Sequence, residues 1–162
     1  MPLTQEELQK ELTYCPETGN FFWNTSRVGV RKGSSAGTIS GRSPYKRIRV
    51  HQEEYLAHRL AFLLMPGAVP NCVDHIDGDP TNNSWRNLRE ATPSQNSGNM
   101  KGRSPSGYKN IRAYKYGWRV DFQVKYHTYH KCFSELDKAI AWRDAKLLEL
   151  RGEFANTKHK EN

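Results

Sequence analysis

The stretch Val73 to Asn96, VDHIDGDPTNNSWRNLREATPSQN, constrains the fold more than any other part of the chain. Val73 to Ile76 can extend as a strand, but the DGDPTNN that follows is a run of turn-formers ill suited to the interior of a helix or a strand. Neighbours on a strand point to opposite faces, so Asp74 and His75 can act together only where a strand ends and twists. The loop from Gly78 to Asn83 supplies such an ending. Asn87 stands beyond it, and its carboxamide, which donates and accepts at once, can pin the two sides of the loop together through backbone groups. Thr92 and Pro93 make an N-cap and first-turn pair for a short helix carrying Asn96. Asp77 and Asp79 are expected to cap or close the turn.

The same residues carry chemistry. A carboxylate and a carboxamide oxygen are hard ligands suited to Mg²⁺ or Mn²⁺, and an imidazole not committed to the metal remains a base. Hydrolysis of a phosphodiester needs both: a cation to neutralise the phosphate and leaving oxygen, and a base to activate water. The segments DHIDGD, NNSWRNLREAT and SQN, in that order and spacing, resemble the HNH endonucleases of ββα-metal fold, in particular the phage and intron-encoded branch whose last motif residue is Asn. YLAHRLAFLLMPG, just upstream, is similar to the segment that precedes the motif in those phage proteins. The resemblance implies that Asp74 and Asn96 are metal ligands, that His75 is the general base, and that Asn87 organises the loop and helps orient the base.

Upstream, Thr4 with Glu7 has capping-box spacing and predicts a helix from Thr4 to Leu12. CPETGNFFWN predicts a turn into a strand near Asn20 to Asn24. YKRIRV and HQEEYLA predict two strands, and HRLAFLLMPG a helix closed by Pro66 and Gly67. His58, beside Arg59 at that junction, is expected to satisfy a backbone group.

KGRSPSG, Lys101 to Gly107, reads as a basic linker, so that residues 1–100 form one domain and 108–162 another. Three β-rich runs then precede a helix opened by Ser134 and Asp137 and reaching about Arg151, with an apolar stripe that Arg143 interrupts. Val120, Phe122 and Val124 share the core face of the middle strand, which leaves Arg119, Asp121, Gln123 and Lys125 on the other. SGYKNIRAYKYGWRVDFQV together with AIAWRDAKLLELRGEFAN is similar to the DNA-binding domain of plant ethylene-response factors, departing from it at Asn110, where Gly is usual. That resemblance implies a sheet face that enters the major groove, with Arg112, Lys115, Trp118, Arg119 and Lys125 as the contacts.

A formal charge of +8 favours a polyanionic partner. Cys15, Cys72 and Cys132 are widely spaced and form no C-x-x-C pair, so neither a disulfide framework nor a structural zinc is expected. No run approaches the ~20 apolar residues of a bilayer span, and no signal peptide is read at the start, so an intracellular, phage-encoded protein of a bacterial host is expected. The fold class is α+β: an N-terminal ββα-metal domain, then a small three-stranded antiparallel sheet packed on one helix. The expected activity is metal-dependent, homing-type hydrolysis of double-stranded DNA by one divalent cation and a histidine base, one strand per encounter, with no membrane and no small-molecule cofactor. The alternatives are a catalytically silent DNA-binding regulator or packaging accessory and, third, an RNA nuclease. Oligomeric state is left open.

Overall fold

The computed structural model describes residues 3–41, 43–99 and 106–157. They form a mixed α/β protein of small antiparallel sheets and four helices. The chain groups into two compact units, Met1–Pro93 and Ser94–Asn162. All of residues 101–107 except Ser106 and Gly107, where a linker is expected, lie outside the described residues.

In the first unit α1, Gln5–Glu11, opens with the expected capping box, Thr4 accepting from the Glu7 amide and Glu7 accepting from the Thr4 amide. It leads directly into β1, Leu12–Cys15, which pairs with β2, Asn20–Trp23, and β2 with β3, Ser35–Ala36. The sequence reading assigns no strand at β1, while β3 falls within residues 27–44, a Gly-, Ser- and Arg-rich stretch expected to be loops flanking a short strand. Both are short and without a clear alternation, and only the pairing with β2 defines them. A hairpin follows, β4, Arg47–Val50, and β5, Glu53–Leu56, running straight into α2, Ala57–Leu64. Ile48 and Val50 on β4 point inward and join Leu8, Leu12, Phe21, Leu60 and Val73 in one core, while Arg47 and Arg49 alternate outward. Each fully buried Leu, Ile or Phe there contributes about 1.5–3 kcal/mol by removing apolar surface from water.

The last two strands of this unit, β6, Val73–His75, and β7, Leu88–Glu90, pair antiparallel with His75 opposite Leu88 and Asp74 opposite Arg89. Between them lies the turn-rich loop, closed by a 3-10 turn over Trp85–Asn87. After β7 comes α3, Pro93–Asn99, beginning at the expected proline.

In the second unit β8, Ile111–Tyr114, β9, Gly117–Val124, and β10, His127–Phe133, form a meander in the order β10-β9-β8, with α4, Leu136–Arg151, against one face. Val120 and Phe122 are buried and Val124 partly so, and they pack with Leu136 and Ile140 as expected. Arg143, read as an interruption of the α4 stripe, is instead fully buried: its Nη1 donates to the Lys109 carbonyl at 3.0 Å and its guanidinium lies 5.7 Å from the Tyr108 ring. Asn110 has φ +68°, a left-handed backbone that Gly adopts freely and Asn tolerates better than most residues. Two bonds tie α3 to this unit: Lys109 Nζ donates to Ser97 O at 2.7 Å, and Asn156 Nδ2 donates to Asn99 O.

Candidate active site

β6 ends at His75, and the whole strand is buried, with Asp74 at 2% and His75 at 5% exposure. A buried ionised carboxylate needs a partner, and Arg89, directly across the hairpin, provides it. Its Nε and Nη2 both reach Asp74 Oδ2, at 2.9 and 2.8 Å. The sequence reading gave Arg89 no role, although its position two residues past Asn87 puts it in register with Asp74.

The loop is laced by side chains. Asn87 Oδ1 accepts the Asp77 amide at 2.9 Å, while its Nδ2 donates to Asp77 Oδ1 at 2.9 Å and to Asn82 O at 2.7 Å. The Ile76 amide donates to Asn87 O at 2.8 Å, continuing the hairpin one residue past the ladder. Asp77 Oδ1 also accepts the Asp79 amide, and Asp79 Oδ1 accepts both the amide and the hydroxyl of Thr81. Asp77 and Asp79 therefore close the turn as expected, and Asn87 spans it.

At His75 Nε2 stands Asn83, which the sequence reading took only as a turn residue. Its Oδ1 lies 3.3 Å from His75 Nε2, and its Nδ2 donates to Thr81 O at 3.0 Å, which fixes which end of the carboxamide faces the imidazole. That oxygen can only accept, so Nε2 carries the proton and Nδ1 the lone pair in the neutral ring. Asn83 is itself clamped: Tyr14 Oη donates to its carbonyl at 2.8 Å, with burial pushing that phenol up to about 12, so it stays a donor. Gly19, the glycine of the PETG turn, sits so close that a Cβ there would lie 2.2 Å from the Asn83 carbonyl carbon, at a φ of +72°. The β1–β2 turn thus braces the loop, and Trp85 N donating to Pro16 O at 2.8 Å adds a second brace.

Behind His75 stands His58 of α2. It is buried, and its ring meets His75 edge-on at 5.2 Å and Tyr45 at 5.3 Å, in place of the expected backbone contact. Burial pushes the His58 pKa down to about 4, with His75 and Arg59 adding to the shift. Burial also holds the His75 imidazole below the ordinary histidine range, opposed by the Asn83 hydrogen bond and by Asp77, Asp74 and Asp79. Both rings are therefore neutral near pH 7, and a neutral His75 has a lone pair with which to take a proton.

Among the described residues no group of three or more His, Cys, Asp and Glu side chains gathers as a metal cluster. The donors expected here, the Asp74 carboxylate and the Asn96 carboxamide, are both oxygens, which fits a hard divalent cation and not a thiolate-bound zinc. Asp74, His75 and Asn87 are brought together on one hairpin, while Asn96 lies on α3, in the stretch that groups with the second unit.

On the second unit, Arg112 and Arg119 face each other across β8 and β9, and Arg112 pairs with Asp121 at 3.1 Å. Lys115 and Lys125 occupy the two hairpin turns with left-handed backbones. Trp118 is partly buried and packs against the core of the unit.

Comparison with known proteins agrees with part of this picture. Residues 55–97 match the HNH endonuclease family model, a span that runs from β5 into α3. The chain is also similar to Protein 3.8 of Escherichia phage T7, 38% identical over 97 residues that cover 55% of this chain and 78% of that protein. No solved structure matches. No helix among the described residues is long and apolar enough to cross a membrane.

Proposed function

The chain belongs to the family of Protein 3.8 of Escherichia phage T7 and carries an HNH endonuclease domain, and from that premise we propose that it is a phage-encoded, metal-dependent DNA endonuclease that nicks duplex DNA in a homing-type setting. The observation that carries the reading is the pairing at the end of β6: a buried carboxylate and a buried neutral imidazole side by side, with Asn87 lacing the loop beyond them, inside the span that matches the nuclease family. The hairpin β6–β7 and α3 are the elements that would compose a ββα-metal unit.

In this mechanism His75, kept neutral by burial, takes the proton of the attacking water. Asn83 holds the imidazole through Nε2, and His58 and Tyr45 limit its tilt. Asn87 keeps the loop closed, so the base sits on a fixed strand end. Arg89 holds the Asp74 carboxylate in a fixed orientation from across the hairpin. Asp74 and Asn96 would hold one Mg²⁺ or Mn²⁺, which when bound neutralises the scissile phosphate and the leaving 3′ oxygen. The C-terminal sheet, in the manner of an ethylene-response-factor domain, would dock the duplex through Arg112, Arg119, Lys115 and Lys125, with Trp118 supporting the sheet from its core side.

The test is supercoiled plasmid incubated with the protein in Mg²⁺, Mn²⁺ or EDTA, beside His75→Ala. Open-circle product that needs the metal, reduced about 10²–10⁴-fold in the variant, is expected for loss of a general base. Equal cutting by the variant would overturn the role of His75. Retained, salt-sensitive binding with no cleavage under any divalent ion would leave a DNA-binding protein without catalysis.

A further inference from the structure

Outside the nuclease span the first unit carries a second feature that the mechanism leaves unused. β2, β3 and the β4–β5 hairpin enclose a groove of about 540 Å³, lined by Arg27, Arg47, Arg49, His51, Trp23 and hydroxyl and apolar neighbours, with no carboxylate among its lining residues. Its cations are a product of the strand pattern: because Ile48 and Val50 point into the core, Arg47 and Arg49 must point out on the same face. The isolated bridge between Thr38 and Arg47, with both backbone bonds at 2.9 Å, fixes β4 beside the chain leaving β3.

The three arginines are not equally committed. Arg27 is built in: it stacks on Trp23 at 4.1 Å, pairs with Glu11 at 3.0 Å and donates to the Arg49 carbonyl at 3.4 Å. Arg47 makes one long contact, to Glu54 at 3.4 Å, and its buried Nε has no hydrogen-bond partner. The Arg49 side chain has no ion-pair partner among the described residues and is exposed. The lip is formed by His51 and Gln52, both non-glycine residues held at positive φ, +49° and +68°. Such backbone is held at a cost.

We propose that this groove is a second anion-binding surface that grips the phosphate backbone of duplex DNA away from the catalytic loop, with Arg47 and Arg49 as its phosphate contacts and Arg27 on Trp23 as its rigid wall. Alternate residues of a strand are set ~7 Å apart, a span of the same order as the through-space distance between neighbouring phosphates of one DNA strand, so the two guanidinium groups can engage adjacent phosphates of that strand. The inference rests on the DNA-endonuclease reading, but it assigns a surface that reading does not need.

The experiment uses the full chain with His75→Ala, in EDTA, so that binding of a labelled DNA duplex is read without cleavage. Affinity is measured from 50 to 200 mM salt for this parent, for added Arg47→Ala/Arg49→Ala, for Arg47→Lys/Arg49→Lys, and for Lys10→Ala, an exposed cation on α1 outside the groove. Loss of two phosphate contacts makes the slope of log affinity against log salt shallower by about 2 and weakens binding roughly tenfold or more near 0.1 M salt. The lysine pair retains the parent slope, and Lys10→Ala leaves it unchanged. An alanine pair indistinguishable from Lys10→Ala, while the parent binds DNA, overturns the groove alone. Parent protein that binds no duplex DNA, or binds an RNA duplex in preference, overturns the DNA reading and the groove with it. Slopes that fall equally in the lysine and alanine pairs would mean that the substitutions disturb β4, not its charge, and would also overturn the proposal.

Discussion

At the scale of single residues, the candidate site depends on keeping two adjacent imidazoles uncharged, and this has a measurable signature. His58 is 7% exposed and its pKa lies at about 4, against 6.5 for the free side chain. The unfolded chain therefore takes up a proton as pH falls through 6.5, while the folded chain does not until about 4. The contribution of a neutral, buried His58 is fully present above pH 6.5 and is lost between there and pH 4, amounting to about 3 kcal/mol at 1.36 kcal/mol per unit. Melting temperature should drop steeply for the wild type from pH 7 to 4.5 and much less for His58→Leu, which has no proton to take up. A variant that loses as much stability over that window would show that other groups set the acid limit. Part of this loop was legible in the chain: its closure by Asp77 and Asp79 and the spanning place of Asn87 follow from turn-forming side chains. An Asp-His pair is common by itself, and the roles given to Asp74 and His75 come from the ordered resemblance to HNH endonucleases. The parts played by Asn83 and His58 were not legible, because the partner of each is fixed by register and by helix placement, not by spacing along the chain. An asparagine in a turn looks the same whether or not it holds a histidine.

At the scale of elements, most boundaries could be read wherever a local rule decides them. The Thr4–Glu7 capping box, the passage from β5 into α2 and the start of α3 at Pro93 all follow from side chains within four residues. β1 and the burial of Arg143 could not be read, since each depends on a distant partner: β2 for the strand, the Lys109 carbonyl for the arginine. The β4–β5 turn is where local chemistry and structure disagree. Val50 pairs with Glu53, which leaves a two-residue loop with positive φ at both His51 and Gln52, the backbone of a type I′ turn. That turn prefers Asn-Gly, because Asn tolerates and Gly freely adopts the left-handed region. Replacing both, His51→Asn with Gln52→Gly, relieves the strain and should stabilise the protein by about 1 kcal/mol, or ~4 °C in melting temperature for a unit of this size. Circular dichroism melts would check this. A fall in melting temperature would mean that the two side chains contribute packing at the groove lip worth more than the strain they impose.

At the scale of the whole molecule, a chain of charge +8 joins a unit bearing candidate chemistry to a unit whose sheet presents Arg112 and Arg119. If the cations serve mainly to hold the duplex, they touch phosphates that are the same in the ground state and the transition state, and such uniform binding affects capture without affecting the chemical step. Salt then becomes a way to separate the two. Raising it from 50 to 200 mM should lower kcat/KM on plasmid DNA by about 10³-fold or more if six or more phosphates are neutralised, while kcat at saturating DNA changes little, because Asp74 and His75 are buried and poorly screened. Arg119→Ala with Lys125→Ala should lower kcat/KM at low salt and flatten its salt dependence, again with kcat nearly unchanged. Steady-state nicking rates at several DNA concentrations measure both parameters. If kcat fell in step with kcat/KM in either experiment, the cations would be acting on the reacting phosphate itself, and the division of labour between the two units would have to be abandoned.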